Sequence, residues 1–116
     1  MIATQTSSLH EHLVTCERFL RDCGESYWAS NLEATRSVDA VGNKVVDIYA
    51  LMELFSPGQG FTELTLSPLH GHNIEHGDSE LLANVQLSEL RLSIFHLANK
   101  HQRGEEDAIA VMSGRY

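Results

Sequence analysis

The sequence predicts an all-α fold, a bundle of about four helices with one long loop that holds an extended segment (56–77). Three observations carry this expectation. Apolar residues recur at 4-3-4-3 spacing in two separate stretches, the period of a buried helix face. Residues 78–103 form the longest run in the chain without Pro or Gly. Only 61–66 has strand character, and one lone strand cannot form a sheet within the chain.

At 116 residues the chain is expected to be one helical domain, 1–116, with 1–7 and 105–116 as frayed tails. That length can bury a core without disulfide or metal staples.

Taken in order, Ser8-Leu9-His10-Glu11 has the Ser-x-x-Glu form of a capping box, so the first helix is expected to start there. Its seam is Leu9, Leu13, Cys16, Leu20 and Cys23, its water face carries Arg18, Arg21 and Asp22, and Gly24 ends it. A short second helix starts near Glu25 or Ser26. Trp28, Leu32 and Thr35 share its inner face, with Tyr27 alongside. A third helix is expected from about Asp39 as N-cap, with Val41, Val45, Ile48, Met52 and Phe55 as its seam. Gly42 would weaken it by ~1 kcal/mol relative to Ala.

Ser56-Pro57-Gly58-Gln59-Gly60 marks a turn that needs unusual backbone angles. Phe61, Leu64 and Leu66 should anchor an extended segment in the core, and Pro68 and Gly71 prolong the loop to Gly77. Asp78 then caps the long helix, and Gly104 offers its left-handed exit. This helix carries two apolar stripes. Leu81, Val85, Leu92 and Phe95 make one; Leu87, Leu90, Ile94, Leu97 and Ala98 make the other, roughly opposite at about 100° per residue. An ordinary surface helix has one stripe. A helix through the middle of the fold is therefore the first expectation, and a partner on the second face is the other.

The formal charge is −8. From Val45 to Leu90 there is no Lys or Arg, while Asp47, Glu53, Glu63, Glu75, Asp78, Glu80 and Glu89 all fall inside. That disfavours nucleic acid, whose phosphates need cations, and favours a basic partner. No apolar run approaches the ~20 residues of a membrane helix. The first residues have neither a basic nor an apolar leader pattern, so a cytoplasmic protein is expected. Cys16 and Cys23 lie seven apart on one helix, about 10.5 Å of rise, too far to bridge; both are read as reduced core residues.

Chemistry has one candidate constellation. His70, His72 and His76, with Glu75 and Asp78 nearby, could supply the three ligands of a catalytic zinc, although His-Gly-His-x-x-x-His matches no helical zinc motif. His12 and Cys16 are one turn apart, but burial makes a seam thiol inert. Gly58-Gln59-Gly60 lacks the lysine of a phosphate loop. The residues therefore point away from an enzyme, and no cofactor is expected.

Three stretches together, Gly24-Glu25-Ser26-Tyr27-Trp28, Phe55-Ser56-Pro57-Gly58-Gln59-Gly60-Phe61-Thr62-Glu63-Leu64 and Leu87-Ser88-Glu89-Leu90-Arg91, resemble a family of small, functionally uncharacterised bacterial helical domains. The family pattern is a Phe, a Gly-rich turn, Phe-x-Asp/Glu-Leu and a long Leu-x-x-Leu-Arg helix, over roughly residues 9–102. Ser56-Pro57 departs from it, standing where the family tends to have glycines. In size and acidity such proteins are similar to immunity proteins of bacterial toxin systems. The expectation is thus a non-enzymatic binder of a cognate, basic protein toxin, with Glu63, Glu75, Asp78, Glu80, Gly58 and Gly60 as the partner-binding set. A metal-dependent enzyme using His70, His72 and His76, and a homodimer using the second helix stripe, are the alternatives.

Overall fold

The computed structural model describes the backbone of residues 2–74 and 78–112, and the side chains of 8–74 and 79–103. The described residues form α1 (Ile2–Asp22), α2 (Ser26–Glu33), β1 (Arg36–Val38), β2 (Lys44–Val46), α3 (Ile48–Leu54), a single 3-10 turn (Pro68–His70) and α4 (Asp78–Met112). The fold is mostly helical, as expected, but not purely so.

The α1 seam is as read. Leu9, Leu13, Cys16, Leu20 and Cys23 are all buried, against Ala29 and Leu32 of α2 and Leu87, Ile94 and Ala98 of α4. Burying each large aliphatic side chain stabilises the fold by roughly 1.5–3 kcal/mol. Gly24, at φ +83, ends α1. Glu25 then caps α2, its carboxylate accepting from Trp28 N–H at 3.3 Å. Both cysteines are free and buried.

The helix ends differ from expectation. α1 already runs from Ile2, so Ser8 does not cap it; the Ser8 carbonyl instead accepts from His12 Nδ1 at 2.8 Å within the helix. Residues 2–7 and 105–112, expected to fray, are helical in backbone. α4 continues through Gly104 without taking an exit there. The capping role read for Asp78 rests on a side chain outside the described residues.

The larger correction is the third helix. Residues 36–46 form an antiparallel hairpin, pairing Arg36 with Val46 and Val38 with Lys44. Asp39 is a cap, but of the hairpin loop: its Oδ1 accepts from Val41 N–H at 3.0 Å and Asn43 N–H at 2.9 Å. Gly42, read as a weak point in a helix, takes φ +91, a left-handed angle open to it at little cost. Val41 and Val45 are four apart, a spacing that both a helix and a strand put on one side. Val41 instead falls in the hairpin turn, 82% exposed, while β2 turns Val45 outward and buries Val46. α3 starts only at Ile48, with Asp47 accepting from Ala50 N–H at 3.1 Å.

The anchors of the 61–66 segment behave as read, with Phe61 and Leu66 fully buried and Leu64 packed against the core, but its first half turns rather than extends, Glu63 N–H donating to Gly60 C=O and Leu64 N–H to Phe61 C=O, both at 3.3 Å. Having no strand partner, the segment satisfies backbone groups with side chains of α4. Asn84 accepts from Leu66 N–H at 2.7 Å and donates to Leu66 C=O at 2.8 Å. Arg91 Nη1 donates to the carbonyls of Phe61 at 2.7 Å and Leu64 at 3.1 Å. Phe61 itself is ringed by Trp28 and Phe55, each with its ring centre 5.3 Å away.

Candidate functional site

The histidine loop does not assemble a metal centre from its described members. His72 is buried, and both ring nitrogens are engaged. Its Nδ1 accepts from Ser67 N–H at 2.9 Å, which places the proton of the neutral ring on Nε2, 2.9 Å from Glu25 Oε1. Asn73 N–H also donates to Cys23 C=O at 2.7 Å. His72 thus latches the 67–73 loop onto the corner between α1 and α2. His70 is exposed, its Nδ1 3.4 Å from Thr65 C=O. His76 and Glu75 lie outside the described residues. Among those described, no three His, Cys, Asp or Glu side chains converge as a metal site would require. The Cys16 thiol, pushed up to about 12 by burial, is no nucleophile.

The expected acidic set is spread out. Glu63 is exposed on the loop beside Arg91, whose positive charge it supports. Glu80 is partly buried near the start of α4, 11 positions before Arg91, roughly 16 Å along the axis. The side chains of Glu75 and Asp78 lie outside the described residues. Both glycines take left-handed backbone angles. Gly58 turns at φ +88 with open space around it, whereas Gly60 sits at φ +100 where an added Cβ would be 3.3 Å from Trp28 Cζ2.

The outer face of α4 is the more distinctive feature. The stripe of Leu87, Ile94 and Ala98 is fully buried, with Leu90 and Leu97 packed against it. The opposite stripe stands in water: Leu81 is 64% exposed, Val85 47% and Leu92 57%, with Leu82 exposed beside it. α4 is therefore not a helix through the middle of the fold. Phe95 is half-sheltered by Phe55, with ring centres 5.5 Å apart. Between α4 and the loop after α3 lies an open apolar groove of about 380 Å³, lined by Phe55, Thr62, Ser88, Arg91, Leu92 and Phe95. A surface of this kind can bind another molecule by burial, and it presents no group poised for bond-making.

Two buried polar groups gave little sequence signal. Glu17, on the α1 flank, is almost wholly buried and accepts two bonds of 2.7 Å from Arg36. Arg21 joins Glu33 at 2.6 Å beside it. His10 is buried with Nε2 unpartnered, and burial, then Arg36 and Lys44, hold its pKa below the usual value.

Compared with known proteins, the chain matches no family model, no curated sequence and no solved structure. Among the described residues no helix is long and apolar enough to cross a membrane.

Proposed function

We propose that this chain is a non-enzymatic protein-binding module that works through the outer face of α4. The observation that supports this is the stripe of Leu81, Val85 and Leu92 left in water, with Leu82 exposed beside it, on a helix whose other face already fills the core. Contiguous exposed apolar surface of this kind marks interaction sites on folded proteins. The narrower form of the proposal is an inhibitor that covers a basic protein, as an immunity protein covers its toxin. The formal charge of −8 and the 45–90 segment free of Lys and Arg favour that sign of partner.

The test is affinity capture from cells of the source organism, using the parent chain and the triple variant Leu81→Ser, Val85→Ser, Leu92→Ser. All three positions are exposed, so the variant should keep its circular dichroism spectrum and melting temperature. The expected result is a partner retained by the parent and lost by the variant. Identical capture by both would remove the outer face as the binding surface. For the inhibitor form, co-expression with the product of the adjacent gene should relieve its toxicity with the parent and not with the triple variant.

A further inference from the structure

Resting on that reading, we infer that the occupant of the outer face is an amphipathic helix of a partner protein, bearing a bulky apolar anchor flanked by Lys or Arg. Two independent features of the surface select it. The first is spacing. Leu81, Val85, Ser88, Leu92 and Phe95 follow one another at 4-3-4-3, the seam that one helix offers to another. Ser88 puts a small side chain mid-seam, lining the open groove of about 380 Å³ whose apolar walls are Phe55, Leu92 and Phe95. That volume suits one large side chain from a helix lying along α4.

The second feature is charge. Glu63 is exposed next to Thr62 of the groove, and Glu89 is exposed on the other flank of the seam, one turn from Val85 and Leu92, where it lines a cavity with Glu11 and His12 of α1. The one cation lining the groove, Arg91, is half-buried and turned inward, donating to the carbonyls of Phe61 and Leu64. Lys100 and Arg103 come only beyond Phe95, at the C-terminal end of the described face. The basic residues of the partner therefore belong over the Leu81–Leu92 half, with its anchor between Phe55 and Phe95. The same acidic rim repels anionic lipid headgroups, which makes the occupant a protein helix rather than a membrane surface.

The probe is a fluorescent peptide of about 18 residues, five helical turns, with Leu at helical spacing, one central Phe and Lys elsewhere. A matched peptide carries Glu in place of Lys. Fluorescence anisotropy at low and moderate salt reads both against the whole chain. The basic peptide should bind at least about tenfold more tightly than the acidic one, with the margin shrinking as salt rises. Leu92→Gln should weaken it about fivefold or more with the fold unchanged, since hot spots are buried apolar anchors. Glu63→Lys with Glu89→Lys should erase the preference for the basic peptide. Equal affinity for both peptides, no binding of either, or indifference to Leu92→Gln would overturn the inference. Self-association in sedimentation, abolished by Val85→Gln, would also overturn it by assigning the face to a second copy. These failures leave the broader binding proposal standing, because that one fails only if the triple stripe variant captures the same proteins as the parent.

Discussion

On α4, Ile94 and Leu92 are two residues apart, both branched aliphatic, and one is sealed in the core while the other stands in water. The same contrast repeats along the helix, Leu87 against Val85 and Ala83 against Leu81. Composition does not separate the two faces. What separates them is supply: α1 offers a complementary seam along its length to the inner face, while α3 is seven residues long and reaches the outer side only around Phe55 and Phe95. A long helix with two apolar faces and one long neighbour leaves one face over. That remainder is the surface on which the proposed binding function rests.

The sharpest way to break this comparison is to place the same charge on each face. Ile94→Asp should unfold the protein or cost it more than about 4 kcal/mol, because a carboxylate would be buried without a partner. Leu92→Asp should move stability by no more than about 0.5 kcal/mol. Chemical denaturation of the two variants gives both values. Equal losses would mean that the outer face is packed in solution.

The inner face depends on how α1 is held, and Glu17 tests that. Glu17→Gln should cost about 3 kcal/mol, the low end for a broken buried pair, since Arg36 is left without its carboxylate but keeps some contact with water. Thermal melts should show the loss, and a double-mutant cycle with Arg36→Met should show coupling between the two positions. Independent, additive effects would reduce the pair to a surface contact.

Arg91 stands at the boundary between the two faces. Arg91→Met keeps the aliphatic stem but removes the donors to Phe61 and Leu64, at a cost of about 2 kcal/mol. The groove should loosen with it, so amide exchange over 56–66 should rise while α1 stays protected. Uniform protection throughout would show that the loop is held by Phe61 packing alone.

The smallest expected effect is a pH slope from His10, which packs on the side of α1 that faces the hairpin. Its pKa is lowered from 6.5 in the fold, first by burial, then by Arg36 and Lys44, against the opposing pull of Glu17 and Glu11. The unfolded chain therefore takes up a proton before the folded one does. This contribution to stability is full above about pH 6.5 and is lost as pH falls from there through the folded value. A single group can contribute at most about 1.4 kcal/mol per pH unit. His10→Leu should flatten the slope of stability between pH 7 and 5 relative to the parent; parallel curves would show that His10 titrates as it does in the unfolded chain.

Much of the local structure was legible because it depends on neighbours in sequence. The α1 seam is set by helical period, the start of α2 by a carboxylate three residues before Trp28 N–H, and the anchors Phe61 and Leu66 by apolar residues after a Gly-rich turn. The separation of the two cysteines by two helical turns was enough to exclude a bridge. The hairpin was misread because Val41 and Val45, four apart, fit helical spacing although one stands in the turn and the other in β2, and Asp39 can cap a helix or a loop with the same oxygen. What His72 does was not legible, because its partner is Glu25, 47 positions away, and spacing within a loop cannot show that a ring nitrogen is already taken.

The sequence by itself determined that the chain is mostly helical, where its strongest seam lies, that α4 is apolar on two sides, and that its middle carries only negative side-chain charge at neutral pH. These are properties of period and composition, which need no partner. Only the tertiary structure decided which stripe of α4 is buried, that Glu17 rather than a hydrophobe fills the space beneath Arg36, and that Arg91 and Asn84 stand in for a missing strand. Each of those outcomes depends on which distant residues arrive at the same place. Burial is a property of pairs of surfaces, so one helix could announce two apolar faces but not which of them this chain would leave exposed.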